Sequence, residues 1–374
     1  MYPHIPTAPD YSNNWESLDA LFPWIQAMRE VPQNPVFHAE GDVWIHCRMV
    51  MEELLALDAW RHLPSPEKGR VFWSTLLHDV AKPRCTVRGM DGSISSPKHA
   101  LVGGHLSRSI LYRGIPDPIP FLERERIAQA VRYHGLPLWF WDKSDSQKAV
   151  IQASLQTNLS QLALLAEADV KGRICPDQEA MLEHIEFFGE YARELSCWEH
   201  PYQFSSPLAR FTYFRGQQAP GYDPFDDSWG EVILMSGLPG AGKDHWIAAH
   251  GPDYPVISLD NIREEHGFPP TKQQGHVIRI AKERAKSYLR SKQPFIWNAT
   301  NLTRLLRQPL IDLFTSYKAK VKIVYIEVPY HTCLMQNLKR ENRIPSAVIQ
   351  KLIHKWQVPA IWEAPEVTWV VQEM

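Results

Sequence analysis

Ser236-Gly237-Leu238-Pro239-Gly240-Ala241-Gly242-Lys243-Asp244 follows an apolar run, Val232-Ile233-Leu234-Met235, and leads into Trp246-Ile247-Ala248-Ala249, which reads as helix. A buried strand, a tight Gly-rich turn and a helix start are the parts of a phosphate-binding loop. Gly237, Gly240 and Gly242 let the backbone turn its N–H groups inward without Cβ clashes. Lys243 adds a mobile positive charge, and the helix N-terminus adds a partial one. The spacing fits G-x-x-x-x-G-K, with Asp244 where Ser or Thr normally holds magnesium. Residues 237–244 (Gly237, Leu238, Pro239, Gly240, Ala241, Gly242, Lys243 and Asp244) are therefore the expected nucleotide-phosphate set, with Asp244 also a candidate magnesium ligand.

Downstream, strands are expected at Pro255–Ser258, Pro294–Trp297, Val321–Val328 and Thr368–Val371, with helices between them, the clearest from about Gln273 to Ser291. Alternating apolar strands and helices predict an α/β domain with a parallel sheet covered on both faces. Ligands bind beyond the carboxyl ends of such strands, where Asp260, Thr300 and Asn301 fall. Asp260 just past a strand can accept the proton of an attacking hydroxyl, and Arg263 one turn on can hold a phosphate of the acceptor. Arg340-Glu341-Asn342-Arg343-Ile344-Pro345 places Arg340 and Arg343 to close over nucleotide phosphates as a lid. This set resembles the P-loop polynucleotide 5′-kinase family, in residues 237–243, Asp260-x-x-Arg263, Ala299-Thr300-Asn301 and Arg340-x-x-Arg343-x-Pro345. The resemblance implies ATP with Mg2+ as phosphate donor, Lys243 and Asp260 as catalytic residues, and Arg263, Thr300, Asn301 and Arg307 as substrate-binding residues. Asp244 in place of Ser/Thr, and Asn298 where many relatives carry Asp, depart from that pattern.

Upstream the chain changes character. Everything to about Trp198 reads as helices, with no convincing strand and no internal repeat. One helix is expected to run from Val71 through His78-Asp79 to Lys82 and stop at Pro83. Met90-Asp91-Gly92-Ser93 is loop chemistry, His134 ends a helix, and a long helix from Ala149 to Lys171 carries Asp169. His and carboxylate ligands suit first-row divalent ions. His46, His78-Asp79, His99, His134 and Asp169 together resemble the HD superfamily of metal-dependent phosphohydrolases, an all-α helical bundle with the pattern H…HD…H…H…D. The strings around Glu40-Gly41-Asp42-Val43-Trp44-x-His46 and Leu77-His78-Asp79-Val80-Ala81-Lys82 carry that resemblance. It implies that His46, His78, Asp79 and Asp169 hold one metal, with His99 and His134 completing a second site bridged by Asp79. One or two transition ions (Mn, Co, Ni, Zn, Cu or Fe) are expected. Lys82 lies one turn from Asp79 and is a candidate contact to substrate phosphate. His105 and Arg173 are weaker candidates, Arg173 being equally explained by a local ion pair.

The sequence thus predicts a multidomain chain: an all-α HD-type domain over 1–198, a Pro-, Gly- and aromatic-rich connector over 199–230, and a P-loop kinase domain over 231–374. With 374 residues the chain is long enough for two cores. From Glu231 onward there are 19 Lys+Arg against 13 Asp+Glu, and before it 21 against 29. Such a mild surplus argues against indiscriminate coating of nucleic acid and suits an enzyme that grips a strand end. The five cysteines include no CxxC pair, the start Met1-Tyr2-Pro3-His4 lacks a signal-peptide build, and no apolar run reaches spanning length. A reduced, cytoplasmic, membrane-free setting is expected. The order of the two halves resembles the bacterial HD-domain/polynucleotide-kinase fusion enzymes of RNA end repair. That resemblance implies removal of 2′,3′-cyclic phosphate and 2′- or 3′-phosphate ends, phosphorylation of 5′-OH ends, and a separate RNA ligase that seals. A nucleotide-salvage pairing of an HD nucleotidase with a small-molecule kinase is a second reading. An ATP-sensing regulator of an HD phosphohydrolase is a third. Oligomeric state and RNA-versus-DNA preference are open at this level.

Overall fold

A computed structural model describes residues 5–6, 11, 13–114, 119–269, 272–340 and 343–373. Met1–His4, and Glu341 and Asn342 of the basic run, lie outside the described residues. The chain divides into two units, Met1–Gln203 and Phe204–Met374.

The first unit is helical. Asp42 caps the Val43–Ala56 helix by accepting from the Ile45 N–H at 2.9 Å. That helix buries Val43, Trp44, His46, Cys47, Val50, Met51, Leu54 and Leu55 along one broad face. Asn158 likewise caps the Leu159–Lys171 helix. Gly172, just past its end, is needed for close approach: a Cβ there would sit 2.6 Å from Val50 Cα. This contact draws Asp169 towards His46. Phe72, Trp73, Leu76, Ile127 and Val131 fill the same core.

Three local expectations change. The helix of Ser65–Leu77 ends with His78 as its C-cap, and Pro83 lies inside a separate turn, Lys82–Cys85. Proline lacks only an N–H that a helix start leaves unpaired, so it opens that turn and does not end the earlier helix. The single helix expected from Ala149 to Lys171 is two, Ser146–Ser154 and Leu159–Lys171, because Asn158 offers its side chain as a cap. The Met90–Ser93 loop joins two short antiparallel strands, β1 (Val87–Arg88) and β2 (Ile94–Ser95), in a region expected to hold none.

The second unit carries five parallel strands: β3 (Glu231–Ser236), β4 (Val256–Ser258), β5 (Phe295–Asn298), β6 (Lys320–Glu327) and β7 (Glu366–Val371). Their order is β4-β5-β3-β6-β7, so the strand entering the Gly-rich loop is central. The chain leaves β3 to one side for β4 and β5 and returns to the other for β6, which makes the end of β3 the switch point where α/β sheets bind ligands. Ile233 and Met235 on one face, and Val232 and Leu234 on the other, are all buried. Residues 204–230 belong to this unit and are not a bare connector. They include the Pro207–Phe214 helix, whose Phe211 packs into the core with Phe295, Trp297 and Phe314. No helix among the described residues is long and apolar enough to cross a membrane.

Candidate functional site

The Gly-rich loop leaves β3 at Ser236 and enters the Lys243–His250 helix. Gly237 has φ +150°, and a Cβ on it would meet Ile326 O at 2.5 Å; Gly240 and Gly242 are also at positive φ. Lys243 Nζ donates to the Gly237 and Leu238 carbonyls at 3.1 and 3.0 Å, folded back over the loop. Burial brings its pKa down to about 8, against the pull of Asp244 and with a push from Arg340. Polyanionic phosphates would restore its full charge.

Asp260 lies beyond β4 and is 67% exposed on its side chain. Ser258, not Asp260, caps the Leu259–Glu265 helix, so the carboxylate is free of that duty. Asp260 Oδ1 pairs with Arg263 Nη1 at 2.6 Å, and Arg340 Nη2 stands 3.7 Å from Asp260 Oδ2. Lys243, Asp244, Asp260, Arg263 and Arg340 are thus gathered at one end of the sheet. Arg343 is exposed further along the basic run. Asn337 holds the base of that run, with its side chain bonded to both N–H and C=O of Ile344.

Two expected substrate contacts are structural. Arg307 is fully buried; it makes a two-point pair with Glu363 at 2.7 and 2.8 Å and donates to the Asn301 and Gln357 carbonyls. Asn301 is buried, and its amide donates to Met235 O at 2.7 Å. With their donors spent inside the protein, neither faces an acceptor. They fix the loop after β5 to the P-loop strand, a junction completed by Ser236 Oγ to Asn301 O and Gly237 N–H to Thr300 O. Removing Arg307 would leave Glu363 buried and unpaired. Arg307→Ala is expected to destabilise this unit by ~3–5 kcal/mol, read as an early thermal unfolding transition. Unchanged melting with a raised KM for acceptor would return Arg307 to the substrate site.

In the first unit the ends of five helices converge. His46 Nε2 lies 3.2 Å from Asp169 Oδ1 and 3.7 Å from Asp79 Oδ2, and His78 Nε2 lies 3.2 Å from Asp79 Oδ2. His99 Nε2 is 3.5 Å from Asp79 Oδ1 and 3.2 Å from His134 Nε2. All six sequence candidates for metal ligation in this unit come together. Two triads, His46-His78-Asp79 and Asp79-His99-His134, share Asp79.

The second nitrogen of each ring fixes its tautomer. Nδ1 of His78, His99 and His134 lies 2.7–2.8 Å from the carbonyls of Thr75, Ser96 and Val131. A carbonyl only accepts, so each neutral ring carries its hydrogen on Nδ1 and points an Nε2 lone pair inward. The lone pairs of His99 and His134 therefore face each other, and Asp79 Oδ1 is buried without a hydrogen bond. Burial brings His134 down to about 3, with help from His99 and His78. Burial opposes charge on His78, but Asp79 and Asp169 raise its pKa, while burial of those carboxylates is outweighed by Lys82, Arg173 and the histidines, which hold both well below the usual range. Inward lone pairs around buried anions are donors of the kind that divalent cations take.

Sequence reasoning missed Glu40 and His38. Glu40 Oε1 is 2.8 Å from His46 Nδ1 and 2.9 Å from His38 Nδ1, while Oε2 accepts from the Ile174 N–H. Glu40 stands beside His46 as a charged partner, without the hydrogen bond to Nδ1 that the carbonyls make to the other three rings. Its place in the quoted Glu40–His46 string was the available signal. Lys82 is buried, bonded to Asp79 at 2.7 Å and to Gln33 at 2.6 Å, and lines the cleft over the cluster. Arg173 forms the local ion pair with Asp169 and lines the same cleft. His105 stands apart from the cluster, 3.4 Å from Arg108.

A Gly-rich anion cradle at the central strand of a parallel sheet, with Lys, Asp and Arg around it, defines the second unit as a P-loop kinase-type domain. Residues 232–359 match the family described as AAA domain. An L-seryl-tRNA(Sec) kinase of Methanococcus maripaludis is 26% identical over 149 residues, 37% of this chain and 58% of that protein. A multifunctional CCA protein of Hahella chejuensis is 29% identical over 121 residues, 32% of this chain and 25% of that protein. The chain thus spans less than two thirds of the length of either relative. A gluconokinase structure from Sinorhizobium meliloti aligns with TM-score 0.28 at 17% identity, over 38% of this chain and 83% of that one.

Proposed function

We propose that the chain is a bifunctional enzyme that heals both ends of a broken nucleic-acid strand, with an HD-type phosphoesterase in residues 1–198 and a P-loop polynucleotide 5′-kinase in residues 231–374. The observation that carries the reading is the pairing, in one chain, of a P-loop beside an exposed Asp260 held by Arg263 with a largely buried cluster of four histidines and two aspartates whose lone pairs converge. Opposite strand ends need these two chemistries.

In the kinase half, ATP with Mg2+ is the donor. Lys243 and the loop amides hold its phosphates, and Arg340 and Arg343 cover them. Asp260 takes the proton of the 5′-OH as that oxygen bonds to the γ-phosphorus and the β–γ bridge breaks, releasing ADP. Arg263 and Thr300 hold the acceptor end.

In the other half, His46, His78, Asp79 and Asp169 would hold one transition ion, and Asp79, His99 and His134 a second. Such ions supply Lewis acidity to a phosphate oxygen and lower the pKa of water. Lys82, and Arg173 beside it, steady the anionic phosphate from the cleft wall. Water adds at phosphorus, one ring P–O bond opens to a 2′- or 3′-phosphate, and a second water releases inorganic phosphate.

The deciding experiment uses an oligoribonucleotide with a 5′-OH and a 2′,3′-cyclic phosphate, incubated with ATP and divalent metal, with both ends analysed. Gain of 5′-phosphate and loss of terminal phosphate is expected; equal activity on mononucleosides would favour nucleotide salvage. Glu40→Gln is expected to weaken transition-metal retention about 10–100-fold, because the anionic partner beside His46 Nδ1 is lost. Metal content measured after graded chelation checks this, and unchanged retention would remove Glu40 from the site.

A further inference from the structure

The cleft above the His/Asp cluster has a volume of about 530 Å³, more room than a bare phosphate fills and within the usual range for small-molecule sites. Its floor includes Asp79, His99 and His134. Two of its wall residues are large aromatics left open, Phe37 at 46% and Trp139 at 42% exposure. A scattered exposed aromatic needs no explanation, but two lining one cleft with buried ligands do.

Each aromatic is tied to the cluster by its own segment. Phe37 precedes His38, which is bonded to Glu40, the carboxylate 2.8 Å from His46 Nδ1. Trp139 ends the short Leu136–Trp139 helix that follows His134. Behind it, His184 meets Trp139 edge-on at 6.1 Å and Trp141 edge-on at 4.0 Å. The ring is braced by His184 and yet remains 42% exposed. Among the described lining residues Asp79 is the one carboxylate, while Lys82 and Arg173 supply cations. The lining suits a ligand with an anionic end and a flat apolar face.

We propose that Trp139 and Phe37 form a base-stacking platform, so that this cleft selects a nucleoside-borne terminal phosphate over phosphate esters without a base. The proposal rests on the reading of the first unit as a phosphoesterase and goes beyond it by assigning its specificity. Stacking tolerates any base, because every base has a π-face. The cleft would then choose nucleotide ends without choosing sequence.

The test compares two oligoribonucleotides ending in a 2′,3′-cyclic phosphate, identical except that one has an abasic terminal ribose. Wild type is expected to show a KM about tenfold lower for the based end. Trp139→Ala should raise KM for the based end by about that factor, with kcat little changed and with little effect on the abasic end. Trp139→Phe should recover most of the loss. Equal losses on both substrates, or none on either, would overturn the platform. Fluorescence anisotropy binding of the same two oligonucleotides runs in parallel. A wild type that hydrolyses neither end contradicts the phosphoesterase reading, while a based-over-abasic binding preference lost in Trp139→Ala still supports the platform.

Discussion

Lys243→Ala is expected to abolish phosphorylation of 5′-OH ends while leaving removal of terminal phosphate intact, and His78→Ala to do the reverse. Each cluster draws its residues from one unit. The loop and its partners lie between Ser236 and Arg343, and the histidine cluster with its supports between Gln33 and Ile174. Without nucleotide, Lys243 is spent on two loop carbonyls and its pKa is brought to about 8 by burial. ATP phosphates would release it from both constraints, so its contribution grows as charge develops in transfer. Loss of such a contact costs about 10²–10³-fold or more in turnover. His78 is fully buried, and its removal opens a cavity as well as deleting a ligand; Asp79→Asn keeps the shape and removes only the charge. Both variants should lose terminal-phosphate release yet keep kinase activity. End analysis of one doubly unprocessed oligonucleotide reads all of this in a single reaction. Loss of both activities in a folded Lys243→Ala protein would instead make the ATP site a regulator of the first unit.

The parts legible in the sequence are those whose signal is local. The P-loop is written in nine consecutive residues, and its strand, loop and helix follow from glycine placement and apolar runs. The parallel sheet followed from strand–helix alternation. The six histidine and aspartate candidates were legible as a resemblance, and their convergence depends on packing such as Gly172 against Val50. What escaped depends on distant partners. Arg307 reads like a phosphate-binding arginine until Glu363, 56 residues on, takes the Nε–Nη2 edge of its guanidinium and two backbone carbonyls take Nη1. Asn301 looks like a ligand-facing turn residue, but Met235 in the next strand takes its amide. The helix break at His78 and the role of Glu40 share one cause: a site bends its elements to aim side chains, against what propensity alone would choose.

A second large effect inside the kinase half is expected at Asp244, and Asn298 shows why. Asn298, the last residue of β5, donates its amide to Asp244 Oδ1 at 2.6 Å. In the usual P-loop arrangement a Ser/Thr hydroxyl on the loop helix and an aspartate from a neighbouring strand hold the magnesium of the nucleotide. Here the loop helix supplies the carboxylate and the strand end supplies a neutral amide. One carboxylate is retained and its position is exchanged. Its second oxygen remains for magnesium, a hard ion that takes oxygen ligands readily. Without metal the same charge repels triphosphate. Asp244→Ala is therefore expected to lower kinase turnover about 10²-fold or more, and Asp244→Asn by nearly as much, since only the charge has gone. Asn298→Asp alone would set two carboxylates side by side and weaken binding of metal-free ATP further. The exchange of both, Asp244→Ser with Asn298→Asp, restores the usual arrangement and should recover more activity than Asp244→Ser alone. A double-mutant cycle isolates that coupling from the cost of each change. ATP titrations with and without magnesium separate metal binding from repulsion: Asp244→Asn should bind metal-free ATP better than wild type and lose that advantage once magnesium is added. Full turnover in Asp244→Ala would show that the carboxylate does not serve the metal, and strict additivity in the cycle would show that Asn298 merely neighbours it.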